Sequence, residues 1–536
     1  MSSKADATAQ KTAEGGAWAP FKSTAFLILW TATVVSNVGT WMHDVGAGWL
    51  MTTLAPDPVM VSLVQAATTL PVFLFALVAG AVADIVDRRK LLLVVNVLMG
   101  AAAGTFAVIV TAGAASVEIL LLFTFLLGTG AAFMAPAWQA IVPSLVLKKD
   151  LAAAVALNSM GINISRAIGP ALAGVLITAI GLSSPFALNA LSFIGILAAL
   201  LIWKPAPKPE KRLPPEPVLP AIQTGLRYAL HSAALKATLI RAVGFFLFAS
   251  AYWAMLPLIA RDLLNGGPGL YGALLGCVGG GAVIGAMVLP KVRKKLGADN
   301  TVAAGSVGTA IVLLVFAIVP FEAAAYAVSL LAGFSWIAVL SSLNVSAQAS
   351  LPEWVRARGL SIYLTLFFGS MSLGSVIWGQ VASLAGIPVA LVGAALLLLC
   401  VLALVRGTRL TSPQATDLSP SMHWPEPVVD DSLEADRGPV MILIDYEVKP
   451  EDQDGFLDAI RRFSQERRRD GAVDWHVFQD AENLTRWTES FTMTSWLEHL
   501  RQHDRVTRAD AVLQAEVQKF HSGAEPPKVR HLIAPD

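Results

Sequence analysis

The chain has 536 residues, 55% of them hydrophobic and 14% charged, with a mean hydropathy of +0.62. A soluble globular protein carries about 25% charged residues, so this composition excludes that class and points to a polytopic membrane protein. The net charge of +1 hides a segregation of charge along the chain, and nothing in it asks for a nucleic-acid partner. Cys277 and Cys400 both lie inside apolar runs, where cysteine serves as a small core hydrophobe. Neither a disulfide framework, a metal site nor a bound cofactor is indicated.

Residues 1–21 are polar and lack a signal-peptide pattern. They read as a disordered cytoplasmic tail, with the first span acting as the insertion signal. Twelve apolar spans follow, near 24–50, 59–83, 91–113, 117–141, 152–181, 184–203, 237–260, 270–290, 300–319, 321–345, 359–384 and 387–405. About 20 helical residues cross a bilayer, and the richness in Gly and Ala suits close helix packing in lipid. Loops after even-numbered spans carry Arg88, Arg89 and Lys90, then Lys148 and Lys149, then Lys204, Lys208, Lys211 and Arg212, then Lys291, Arg293, Lys294 and Lys295, then Arg356 and Arg358. Arg261 is the exception among the other loops. The asymmetry places both termini in the cytoplasm of a cell with the protein in its inner membrane.

A Pro- and Lys-rich stretch, 204–236, separates residues 22–203 from 237–405 as two six-span halves. It reads as a cytoplasmic loop with a stiff linker at 204–209 and a short amphipathic helix at 222–235. The halves repeat. The offset that aligns Gly80 with Gly285 also aligns Arg88, Arg89 and Lys90 with Arg293, Lys294 and Lys295, and Gly169 and Gly174 with Gly374 and Gly379. Between these places the register slips, so that Gln139 and Pro143 correspond better to Gln348 and Pro352. Parallel six-span halves are an architecture of secondary transporters. Residues 406–438, rich in Pro, Ser and Asp, read as a linker. Residues 439–536 read as a soluble domain of order β-α-β-β-α-β, the ferredoxin-like arrangement. The expected fold class is therefore an all-α polytopic membrane protein with 12 transmembrane helices in a 6+6 arrangement, plus a C-terminal α+β ferredoxin-like domain.

Between spans two and three stand Gly80, Asp84, Arg88, Arg89 and Lys90. This spacing resembles the loop signature of the major facilitator superfamily, with Asp87 where the family has a second Gly. The resemblance implies a conformational latch, in which Asp84 caps helix ends or pairs with cations in one state only. In the second half Leu289 replaces the acid. Span five carries Gly169, Pro170 and Gly174, which resemble the superfamily's antiporter element. Ser36–Met42, Gly48–Leu50 and Asn158–Gly174 look like the enterobactin-exporter-like, or transmembrane secretion effector, branch. That resemblance covers about residues 20–405 and implies export.

Charges inside lipid are costly and are functional candidates for that reason. Asp44, beside His43 in span one, is the best candidate for a proton carrier; the alternative is a helix that ends near residue 43 and leaves Asp44 in water. Arg166 in span five either holds an anionic group or pairs with carbonyls. Asn37, Trp41, Gln65, Trp138, Gln139, Asn158, Asn163, Tyr252, Trp253, Trp336 and Asn344 are the candidate cavity lining, with Arg166 among them. Aromatic walls with a few polar groups suit a small amphipathic substrate. The C-terminal domain resembles antibiotic-biosynthesis monooxygenase domains, which implies homodimer formation. In it Trp475, His476, Trp487, His499 and His503 are possible site residues, although His499 and His503 show no third metal ligand. The expected function is a proton-coupled exporter, not an enzyme, with protons, the bilayer and a siderophore- or drug-like compound as partners. No Gly-x-x-x-x-Gly-Lys-Ser/Thr motif occurs, which argues against an ATP-driven pump. Two alternatives stay open here: a membrane-tethered oxygenase acting through residues 439–536, and a non-transporting scaffold.

Overall fold

The computed structural model describes residues 16–204, 218–319, 321–411, 417–421, 424 and 437–535. The linker at 205–209, the cations Lys208, Lys211 and Arg212, and most of 406–438 lie outside the described residues, as does most of the N-terminal tail. The apolar runs form α1 (Thr24–Leu54), α2 (Pro58–Ile85), α3 (Arg88–Thr111), α4 (Val117–Leu145), α5 (Leu151–Ala179) and α6 (Ser184–Ile202). After the short α7 (Val218–His231) come α8 (Ala233–Leu258), α9 (Pro268–Ile318), α10 (Glu322–Ala349), α11 (Arg356–Ala385) and α12 (Ile387–Leu404). Among the described residues 11 helices are long and apolar enough to cross a membrane.

The helices begin where short polar side chains can take the orphan N–H groups of a first turn. Ser23 accepts from Phe26 N, Asp57 from Val59 N and Ser116 from Ile119 N. Asp87 does the same for α3, accepting from Lys90 N at 2.9 Å. The residue that departs from the superfamily's loop pattern is thus a helix cap. The two sequence spans at 270–290 and 300–319 fall within α9 as two helices that meet in a kink at Gly297, whose φ of 78° and ψ of 173° are non-helical. A positive φ there is open to glycine at little cost. A π-helical turn, Ile259–Leu263, extends α8.

The chain forms two compact units. The first comprises residues 1–214, 241–343 and 364–407. In it α2 packs on α4, α1 on α5 and α6, α3 on α4 and α6, and α9 on both α5 and α12. Phe26, Leu29, Leu92, Met99, Phe193 and Leu200 form part of one buried cluster. In lipid such clusters hold by close packing and not by exclusion of water.

The second unit comprises residues 215–240, 344–363 and 408–536. Its sheet has strands β1 (Val440–Glu447), β2 (Val473–Gln479), β3 (Arg486–Met493) and β4 (Lys528–Ile533). They lie in the order β2-β3-β1-β4, and every neighbouring pair is antiparallel. Helix α13 (Gln453–Arg469) buries Phe456, Ala459, Ile460 and Phe463, the helical spacing that makes one apolar face. The segment read as one or two helices is two, α14 (Trp496–Arg505) and α15 (Arg508–Gln518). Thr507 and Asp510 form a reciprocal capping box at the start of α15. The same unit holds α7 and the loop before α11. Tyr228 Oη donates to Ser350 O at 2.9 Å, Arg469 lies 5.3 Å over the Tyr228 ring, and Arg505 lies 4.8 Å over Trp354.

Candidate transport site

The site lies on the inward faces of α1, α5, α8 and α10. On α1, Trp41 presents its ring to Arg166 of α5, whose Cζ is 5.5 Å from the ring centroid. Such a stacking is worth about 0.5–2 kcal/mol, more when desolvated. Arg166 is also close enough to Tyr252 of α8 for the two to interact electrostatically. Tyr252 leads to Trp253 (rings 5.4 Å apart), and Trp253 meets Trp336 of α10 edge-on at 5.2 Å. Beyond Trp336 lie Phe246 and Phe367. The structure therefore brings together five of the sequence candidates: Trp41, Arg166, Tyr252, Trp253 and Trp336.

Their polar ends share one property. Arg166 Nε, Tyr252 Oη, Trp253 Nε1 and Trp336 Nε1 are all buried, and apart from the Tyr252–Trp253 pair, which face each other, they have no hydrogen-bond partner among the described residues. Buried polar groups are nearly always paired, so such a cluster is unusual.

The other candidates are dispersed. Trp138 donates to Asn158 Oδ1 at 3.2 Å and packs on the core of the first six helices. Asn163 donates back to Ser159 O on its own helix, and Gln139 is exposed. Asn37 and Gln65 are half-buried. Asn344 lies in the second unit and accepts from Gln348 at 2.8 Å.

Helix α1 runs on to Leu54, so the reading in which it ends near residue 43 is corrected: Asp44 lies well inside it. Asp44 is one turn beyond Trp41 on the same face and interacts electrostatically with Tyr271 of α9. No ion pair joins it to Arg166 among the described residues. His43 points elsewhere, buried between Phe106 and Phe186 at 5.7 and 4.9 Å, with neither ring nitrogen bonded.

The turn between α2 and α3 works through helix ends. Arg88 donates to Ala140 O at 2.9 Å, and Arg89 donates to Leu200 O and Leu201 O at 2.8 Å each. Arg89 so satisfies carbonyls that end α6. Lys90 is exposed, a Cβ on Gly80 would meet nothing within 4 Å, and the Asp84 side chain lies outside the described residues.

The glycines of span five make a seam. A Cβ on Gly169 would fall 2.5 Å from Trp41 Cβ, so Gly169 lets α5 approach α1 at the Arg166 level. Farther along, Gly174 faces Gly272 of α9, where a Cβ on Gly272 would be 2.6 Å from Pro170 O and 2.7 Å from Gly174 Cα. The sequence reading missed this partner helix, and it noted Arg261 only as an exception to the loop charges, without its contact. The one loop cation out of pattern donates to Thr52 O at the end of α1, at the end of the bundle away from Arg88–Lys90.

A family profile described as transmembrane secretion effector matches residues 15–536, membrane helices and C-terminal domain alike. The chain belongs to that family. The chain is similar to the staphyloferrin A transporter of Staphylococcus aureus, 27% identical over 65% of the chain and 87% of that protein. It is also similar to the multidrug efflux pump Tap of Mycobacterium tuberculosis, 25% identical over 75% of the chain and 97% of the pump. Among solved structures, a bacterial homolog of the human lysosomal transporter Spinster, inward-facing and unoccupied, superposes with a TM-score of 0.58 at 14% identity, over 72% of this chain and 96% of that one. The chain is thus a multi-pass transporter of the major facilitator superfamily, and the family and the names of its relatives indicate a transporter and not an enzyme.

In the C-terminal domain the candidate residues divide into two groups. Trp475 Nε1 (2.9 Å), Arg467 Nε (3.2 Å) and Tyr446 Oη (3.2 Å) all donate to buried Glu489, a satisfied structural ion pair. His499 meets His503 and, unforeseen from sequence, His531 of β4, both at 4.8 Å between ring centroids. Among the described residues no group of three or more His, Cys, Asp or Glu is arranged to hold a metal ion. Burial first, then His503 and His531, pushes His499 down to about 3. His476 packs at a tilt against Phe478, and Trp487 is buried against Phe456.

Proposed function

We propose that this chain is a secondary active exporter that uses the proton gradient to move a small amphipathic compound, siderophore- or drug-like, out of the cytoplasm. The carrying observation is the convergence of Trp41 and Arg166 from the first six helices with Tyr252, Trp253 and Trp336 from later ones. A site shared between two halves is what alternating access needs, because rocking of one half against the other exposes it to each side in turn. Counting α9 as two crossings on either side of Gly297 gives twelve spans, and the loop cations then put both termini in the cytoplasm. The names of a siderophore transporter and a drug pump among the relatives support export of such compounds.

Asp44 is the proposed proton carrier. It stands one turn from the Arg166 stack with no cation paired to it among the described residues, so it is free to gain and lose a proton. The Gly80–Lys90 turn is the proposed latch, with Arg88 and Arg89 holding helix carbonyls in the conformation seen and Asp84 weighting one state. Gly169, Pro170 and Gly174 are the proposed antiporter element, acting through their seam with α9. The strand order of the C-terminal sheet supports a ferredoxin-like fold for that domain. Met441, Val473, Phe478 and Leu532 are exposed on its outer face, which supports a homodimer through that face.

Proton-driven efflux from proteoliposomes of the full chain tests the reading. A defined compound panel should include at least one substrate whose efflux acidifies or alkalinises the lumen in step. Asp44→Asn should uncouple substrate from proton movement, and Asp84→Asn should slow turnover while leaving substrate affinity nearly intact. Efflux that ignores the pH gradient in the unmodified chain would refute proton coupling.

A further inference from the structure

The four buried polar atoms of the Trp41 cluster, Arg166 Nε, Tyr252 Oη, Trp253 Nε1 and Trp336 Nε1, are all able to donate, and three of them can do nothing else. A guanidinium has five N–H donors and no acceptor, and an indole N–H only donates. Tyr252 Oη is the one group that also accepts. Tyr252 and Trp336 are 1% and 5% exposed, so bulk water does not reach Tyr252 Oη or Trp336 Nε1; Arg166 and Trp253 are partly exposed, with Arg166 Nε and Trp253 Nε1 on their buried side. Among the described residues no carboxylate pairs with Arg166, although an unpaired cation inside a membrane helix is expensive. Asp44, the carboxylate nearest along α1, is not bonded to it. The remaining surroundings are aromatic: the Trp41 face, the Trp253 and Trp336 rings, and Phe246 and Phe367 behind them.

A site of this kind is complementary to one class of molecule. It offers positive charge and several donors at one end and ring faces at the other. Resting on the exporter reading above, we infer that the substrate is an organic acid, with a carboxylate or comparable oxyanion against Arg166 and an aromatic or apolar body along Trp253 and Trp336. The guanidinium matches a carboxylate bidentately, and the indole and phenol donors take its outer lone pairs or neighbouring hydroxyl and carbonyl oxygens. The same arrangement selects against permanent cations. A quaternary ammonium group placed among these rings would sit beside an uncompensated Arg166, and like charges at close range in a desolvated site repel strongly. The cluster therefore favours organic acids over permanent cations.

Three probes with one aromatic body isolate the charge: 2-naphthoate, 2-naphthamide and the 2-naphthylmethyl-trimethylammonium cation. Binding to the purified full chain in detergent is followed by quenching of tryptophan fluorescence and by calorimetry, for the unmodified protein, Arg166→Lys and Arg166→Gln. The acid should bind best to the unmodified chain and the cation worst. Loss of a charge-assisted hydrogen bond weakens binding about ten- to hundredfold, so Arg166→Gln should cost the acid that much and leave the amide within about threefold. Arg166→Lys should fall between, since it keeps the charge and loses the fork. Equal or tighter binding of the cation by the unmodified chain would overturn the inference, as would failure of the acid to bind or an Arg166→Gln effect equal for acid and amide. Should Arg166→Gln not fold, the ranking of the three probes on the unmodified chain still decides. The exporter reading is tested separately by flux in proteoliposomes: cation flux with no acid binding would sink the acid and spare the exporter, whereas acid binding without any flux would do the reverse.

Discussion

Adding a side chain at Gly272 should prise open one conformation of this transporter. A Cβ there would lie 2.6 Å from Pro170 O, 2.7 Å from Gly174 Cα and 2.9 Å from Gly174 N. These are backbone atoms, which cannot swing aside as a side-chain tip can. Carbon contacts are comfortable at about 3.5–4.0 Å, so α5 and α9 must separate by roughly 1 Å for Gly272→Ala and by more for Gly272→Val. Overpacking of this kind costs about 1–3 kcal/mol. The penalty falls only on the state in which the seam is closed, so the closed-to-open ratio should drop about 5- to 150-fold. A neighbouring pair reads that ratio directly. A Cβ on Gly276 would be 3.3 Å from Ala171 Cβ, near the spacing of a disulfide. In a background with Cys277 and Cys400 changed to Ser, Ala171→Cys with Gly276→Cys should cross-link readily under mild oxidation and stop transport until reduced. Adding Gly272→Val should slow cross-linking at least about fivefold and shift efflux in parallel. Unchanged cross-linking, with an unchanged melting temperature, would refute the claim that this backbone contact is a moving gate.

Three further outcomes follow from contacts elsewhere. Asp87→Ala removes the cap of α3 and should destabilise the membrane unit by about 0.5–2 kcal/mol, measured as a lower melting temperature that Asp87→Ser largely restores. Glu489→Gln leaves Arg467 buried without its counter-ion and should cost the C-terminal domain about 3–5 kcal/mol; a loss below about 1 kcal/mol would show that the stacking of Arg467 on Phe463 and Phe491, at 4.5 and 4.9 Å, suffices alone. His499, held to about 3 in the fold against its ordinary 6.5, contributes stability that is present above about pH 6.5 and is lost as pH falls toward 3. At about pH 4.5 the loss should be about 2–3 kcal/mol, seen as an acid-side drop in the domain's melting that His499→Gln flattens.

Much of the architecture was legible in the sequence because lipid imposes a strong rule. A backbone in hydrocarbon must satisfy its own hydrogen bonds, so a long apolar run is a helix, and the runs beginning at Thr24, Pro58 and Val117 are helices bounded by polar caps. The spans read at 270–290 and 300–319 lie on either side of the non-helical Gly297 in α9. Period-two alternation and the apolar face of Phe456, Ile460 and Phe463 likewise fixed the strands and α13 of the tail. The candidate site was legible only in part. Expense in lipid marked Arg166 and Asp44, and residue type marked the tryptophans, but type does not say which side chains meet. Trp138 and Trp336 look alike as letters; one bonds Asn158 within the first helices, the other joins the Arg166 cluster. Pairing across sequence distance comes from helix packing, which local pattern does not encode. Only the tertiary structure placed Gly272 against Gly174, Arg261 on the end of α1 and His531 beside His499. The sequence by itself determined that this protein spans a membrane many times and carries a folded tail. The packing of α1, α5, α8 and α10 decided which of its costly polar groups stand together, because that depends on which faces of separate helices come within a few ångströms.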